Sequence, residues 1–137
     1  MSTDPATLNA LASEVEAGTG PDRDLDARVW EATHLDDWLV LFGTVGAHAY
    51  VVNSIEGGTL ALPPFTDSVD AALGLLAGVL PNWRVKILAT CSAGCSADAE
   101  QWDEGGRLLQ VSSGSAPDLP RAIVAAVLRS VAARGEG

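Results

Sequence analysis

The hydrophobic period of this chain changes across Pro81, and that change restricts its possible folds more than any other feature. Upstream, the stretch opening at Thr66 spaces Val69, Leu73, Leu76 and Leu80 as one stripe of a helix, with Asp67 and Asp70 in its first turn. Thr66 is the expected N-cap. Downstream, Trp83-Arg84-Val85-Lys86-Ile87 alternates strictly, which puts Trp83, Val85 and Ile87 on the core face of a strand. Proline has no N–H and a fixed φ, so the switch falls where the helix has to end. A polar strand is then expected over Gly94 to Trp102. Asp103-Glu104-Gly105-Gly106 supplies hairpin-turn chemistry, and Arg107 to Val111 returns as a third strand. A helix that feeds an antiparallel hairpin belongs to an α+β fold rather than a doubly wound parallel sheet.

The flanks extend this frame. Asp4 and Pro5 open a first helix that buries Leu8, Leu11, Ala12 and Val15, and Gly18 and Gly20 stop it. Pro21 opens a second, with Asp22 and Asp24 in its first turn and Leu25, Val29 and Ala32 inward, so the pair forms a helical hairpin. Trp38 to Phe42 either ends that hairpin or starts a strand. Ala47 to Asn53 reads as a strand, Glu56-Gly57-Gly58 as a turn, and Pro63-Pro64 excludes a helix through that point. Ser112 to Ser115 reads as a loop. Pro117 or Asp118 opens a last helix to about Arg134, with Leu119, Ile123, Ala126, Val127 and Val131 buried, and Arg129 and Arg134 suiting its C-terminal dipole. The expectation is one α+β domain over residues 1–137. It has an N-terminal helical hairpin, an antiparallel sheet of three to four strands and two further helices packed on it, in an α/β/α sandwich-like arrangement with a disordered tail at 135–137.

Composition sets the kind of core. Of the 137 residues 47% are hydrophobic but only 5% aromatic, so Ala, Val and Leu do most of the filling and helices have to pack closely. No apolar run approaches the ~20 residues of a membrane-spanning helix, and no signal peptide precedes the first helix, so a soluble, cytoplasmic chain is expected. Cys91 and Cys95 are then read as reduced thiols. The net charge of −10 lies wholly in residues 1–80, where 12 acidic side chains face Arg23 and Arg28; residues 81–137 are neutral. Such a field repels phosphate backbones, which excludes direct nucleic-acid binding and favours a partner with a basic surface.

Two blocks resemble a known family. Thr19-Gly20-Pro21-Asp22-Arg23-Asp24-Leu25-Asp26 is similar to the opening signature, and Pro64-Phe65-Thr66-Asp67-Ser68-Val69-Asp70-Ala71-Ala72-Leu73 to the central helix start, of uncharacterised phage and prophage proteins with a phage ABA (α/β/α) sandwich domain. The strand led by Trp83 and the Ala-rich helix over Ala122 to Leu128 follow in the same order. Phe65 stands where that family often has Tyr, and His34 to Ala61 matches no family pattern. The resemblance implies the fold, a phage or prophage origin and a host-cell cytoplasm. It implies no catalytic residue.

Chemistry-bearing residues are sparse. Cys91-Ser-Ala-Gly-Cys95 has the spacing of half a zinc site, but only His34 and His48 could complete it. Neither histidine carries a nucleophile motif, although Asp36 and Asp37 follow the first, and Ser54 and Glu56 lie near the second. Asp36-Asp37 and Asp103-Glu104 flank loops and could hold a hard cation only weakly. No glycine run is followed by the Lys-Ser or Lys-Thr of a phosphate loop. These absences favour a non-enzymatic binder of a host protein, without cofactor or metal, using Asp22, Asp24, Asp26, Asp36, Asp37 and Trp102. Counter-defence inhibition through an acidic surface is one version. The alternative is a protein that sequesters a small ligand such as a nucleotide signal, held by Arg84, Lys86, Arg107 and Arg121. A minor assembly protein that forms homo-oligomers is the third.

Overall fold

The computed structural model describes residues 4–33, 38–45, 49–54, 59–61, 63–90 and 94–136. The fold is α+β. The order is α1 (Pro5–Ala17), α2 (Arg23–Thr33), β1 (Trp38–Val45), β2 (Ala49–Ser54), β3 (Thr59–Ala61), α3 (Val69–Val79), β4 (Arg84–Thr90), β5 (Gly94–Trp102), β6 (Leu108–Ala116) and α4 (Leu119–Glu136). Trp38 to Phe42 thus starts a strand. Strands β1–β2–β3 form one antiparallel sheet, reached from α2, and β4–β5–β6 a second. Helix α4 lies on β5 and β6, and α1 and α3 pack on α4.

Small residues explain how α4 comes to sit at the centre. Every residue from Arg121 to Leu128 is buried, whereas a helix at a surface would bury one stripe. Against its sheet side β5 offers Ala97 and Ala99, and β6 offers Gly114 and Ala116, all buried. A methyl group added at Gly114 would sit 2.1 Å from the Ala122 carbonyl oxygen and 2.7 Å from the Ala126 nitrogen. Helix and strand backbones therefore touch directly, which only glycine permits. The remaining core includes Leu8, Leu11 and Val15 of α1, Leu25, Val29 and Trp30 of α2, Ala72, Leu75 and Leu76 of α3, and Ile123, Val127 and Leu128 of α4.

Several local expectations change. Helix α3 starts two residues late: Ser68 is its N-cap and accepts the Ala71 N–H at 3.2 Å, while Thr66 is buried and bonded elsewhere. Asp4 precedes α1 without a capping bond. Strand β5 is half-buried by alternation, since alanine gives a weak signal of an inward face. Ser112 to Ser115 is not a loop but the second half of β6, paired with Ser96 to Ala99. There the sheet selects small residues for the approach of α4 rather than for strand propensity. Ile87 is 39% exposed, although Trp83 and Val85 on the same face do pack against the core. Helix α4 runs on to Glu136. The helices pack on one face of this β4–β6 sheet, at β5 and β6, so the layering is helix on sheet, and among the described residues the side chains of the other face are half-buried or exposed.

The hairpin between β5 and β6 follows its sequence. Asp103 accepts the Arg107 N–H on Oδ1 at 2.8 Å, and Gly106 takes φ +85°, a left-handed conformation that favours glycine.

Candidate functional site

Two polar assemblies and one open surface hold the residues that could act. The first assembly joins the two sequence blocks to each other. Asp22 caps α2, with its Oδ1 accepting the Leu25 N–H at 3.1 Å. One turn on, Asp26 points inward and is fully buried. Its Oδ1 accepts the Thr66 N–H at 2.8 Å and the Thr66 hydroxyl at 2.9 Å, and Arg23 reaches its Oδ2 at 2.7 Å. The Asp22 N–H donates to the Thr66 hydroxyl oxygen at 2.8 Å, and Trp30 stacks on Phe65 at 6.4 Å. Burial pushes the Asp26 carboxyl up, against the lowering effect of its hydrogen bonds to Thr66 and of Arg23. A buried carboxylate with these donors is a cross-link between α2 and the turn before α3. It cannot serve an exposed acidic patch.

The second assembly closes around Arg121, which is 2% exposed. Its guanidinium donates to the carbonyls of Val15 at 2.9 Å, Thr19 at 3.4 Å and Gly20 at 2.8 Å, and so ties the C-terminal end of α1 to α4. Asp118 receives the Gly20 N–H at 2.6 Å alongside it. Arg121 is thus consumed by backbone carbonyls and is unavailable to a ligand. Nearby, Arg129 forks onto Glu16 at 2.5 and 2.6 Å, which holds the Glu16 carboxyl below its usual range. Arg134, in the last turn of α4, also donates to the Val79 carbonyl at the end of α3 at 3.4 Å.

The open surface is the outer face of β4–β6. Register sets Arg84, Glu100 and Val111 in one row, Lys86, Asp98 and Ser113 in the next, and Leu88, Ser96 and Ser115 in a third. Trp102 belongs to this face: its indole N–H donates to Glu100 at 3.2 Å, and Arg84 lies over its ring at 5.5 Å. Ser113 donates to Asp98 at 2.7 Å. Leu88, Leu109 and Val111 remain exposed among these groups, Leu88 at 63%. Opposite charges in facing positions stabilise the sheet and cancel its local field.

The six residues expected to contact a partner are therefore dispersed. Asp22 is a cap, Asp26 is interior, Asp24 is exposed on α2 and Trp102 lies on the open face. Asp36 and Asp37 fall outside the described residues, as do His34, His48 and Cys91. The basic quartet does not converge either. Arg84 and Lys86 share the open face, Arg107 sits at the β5–β6 turn 3.6 Å from Asp103, and Arg121 is buried on the helical side. A cavity of about 400 Å³ is lined by Glu16, Gly94, Ser115, Ala116 and Pro117, with its carboxylate already engaged by Arg129. Among the described residues no cluster of His, Cys, Asp and Glu could hold a metal ion, and no helix is long and apolar enough to cross a membrane. Leu88, Leu109 and Val111 went unread as surface residues, because an apolar strand residue has the same signature on either face.

No protein-family model matches the chain, and neither a curated protein nor a solved structure matches it.

Proposed function

We propose that this chain is a non-enzymatic binding protein, and that a partner protein docks on the open face of β4–β6. The observation that carries this reading is the pair of large apolar side chains on β6, Leu109 and Val111, exposed at the same end of the sheet as the half-buried Trp102. Large apolar side chains exposed among polar groups mark a protein contact, and tryptophan and arginine are enriched at the centres of such contacts. The net charge of −10 adds long-range attraction for a basic partner, but the contact itself is assigned to the sheet. A phage or prophage setting, with a host protein as the partner, belongs to the same proposal and rests on the resemblance of residues 19–26 and 64–73.

The test is capture from bacterial host lysate on immobilised wild-type chain and on a Leu109→Glu/Val111→Glu variant, at low and moderate salt. A protein retained by the wild type at both salts and lost from the variant supports the sheet face. Retention unchanged in the variant but abolished by moderate salt would return the contact to the acidic surface, and with it the charge-mimicry version. If nothing is retained at either salt, the binder reading fails.

A further inference from the structure

The two edges of the β4–β6 sheet are built differently. At β6 the backbone is closed by side chains from the helices: Glu16 accepts the Ser115 N–H at 2.7 Å, and Arg129 donates to the Ser113 carbonyl at 2.9 Å. An ion pair thus occupies the positions that an added strand would take. At β4 no such device is found among the described residues. Among the described strands it pairs with β5 alone, and at its centre Ile87 and Leu88, on opposite faces, are 39% and 63% exposed. Exposed edge strands with apolar centres are templates for strand addition unless they are blocked.

We infer that β4 is a dimerisation edge, where a second copy of this chain adds its own β4 antiparallel to make a six-stranded sheet. The charge pattern of the strand selects this occupant and its register. Arg84 and Lys86 lie in the first half of β4, and the second half is uncharged. Parallel addition would set both cations of one copy beside those of the other, which is unfavourable. In an antiparallel pair around a two-fold axis, facing residues share the same hydrogen-bonding side of the strand, so each facing pair of residue numbers has an even sum. Centring on Lys86 would oppose the two lysines. Centring on Ile87 pairs all seven residues and faces Arg84 and Lys86 of one copy with positions 90 and 88 of the other. The closed β6 edge then stops growth through this sheet at two copies.

Sedimentation velocity over a concentration series reads the prediction directly. The wild type is expected to move from one-chain to two-chain mass in the micromolar range, without larger species. Leu88→Lys would face Lys86 of the second copy and should return the mass to one chain; at an exposed position it leaves folding intact, which circular dichroism checks. Ile87→Cys, with Cys91 and Cys95 changed to serine, should give a disulfide-linked dimer under oxidation, whereas Lys86→Cys in the same background should not. A wild type with one-chain mass throughout would overturn the inference. A dimer unaffected by Leu88→Lys, or open-ended assembly, would also overturn it. The outcome is separable from capture of a partner on the sheet face, which uses Leu109 and Val111 of β6.

Discussion

The two faces of the β4–β6 sheet are made from the same three strands and solve opposite problems. On the helical face, Ala97, Ala99, Gly114 and Ala116 remove nearly all side-chain volume, so that α4 lies directly on the backbone. On the outer face, Arg84, Lys86, Asp98, Glu100, Trp102 and Val111 project fully, with charges paired across strands. Burial is concentrated where side chains are smallest, because close approach buries Arg121 to Leu128 of α4 on all sides. The outer face contributes little to folding, and it is therefore free to carry recognition.

Substitutions can break this contrast, and the largest effect is expected at Gly114. Gly114→Ala forces a methyl against the α4 backbone and should cost about 3 kcal/mol in urea unfolding. A loss well under that would mean that helix and sheet are not in backbone contact.

Next comes the cross-link between the N-terminal helices and the turn before α3. Thr66→Val removes the hydroxyl that donates to Asp26 and accepts from Asp22, at an expected cost of about 2 kcal/mol. The loss should shrink when Asp26→Asn is already present, since the two residues act as one unit.

Third is the Glu16–Arg129 fork, which is partly exposed and worth about 1 kcal/mol. Its pH dependence has a definite sign. The folded state lowers the affinity of Glu16 for protons, so its contribution is present above the ordinary carboxylate range and is lost as pH falls through and below it. Glu16→Gln should therefore differ from the wild type at neutral pH and converge with it in acid. Asp26 is raised, so its ionisation works against folding as pH rises through its folded value. The stability of the wild type relative to Asp26→Asn should therefore increase on acidification. Denaturant midpoints across the acid range would show these opposite slopes, and parallel curves would refute them.

Smallest is the open face. Leu109→Ser or Val111→Thr should change stability by about 0.5 kcal/mol or less. A larger loss would show that this face is part of the core.

Pairings across the fold account for what was misread in the sequence. Thr66 fits a helix start, so capping accounts for it locally, and Asp26 reads as part of an acidic contact surface. Their contact spans forty residues, and neither local sequence marks it. Arg121 looked like a ligand cation because a buried arginine and an exposed one are written with the same letter. Ser112 to Ser115 looked like a loop because glycine and serine have low strand propensity, yet pairing with β5 and contact with α4 override it.

By itself the sequence determined the periods and the punctuation: four helices, the switch to strands after Pro81, the Asp103–Gly106 hairpin and a core of small aliphatic residues. These follow from backbone sterics and local periodicity, which act over a few residues. Tertiary structure alone decided which carboxylate is buried, which arginine is consumed, which glycine is irreplaceable and which sheet face stays open. Each of those depends on the segment that arrives from far along the chain, and burial has no meaning until that neighbour is in place.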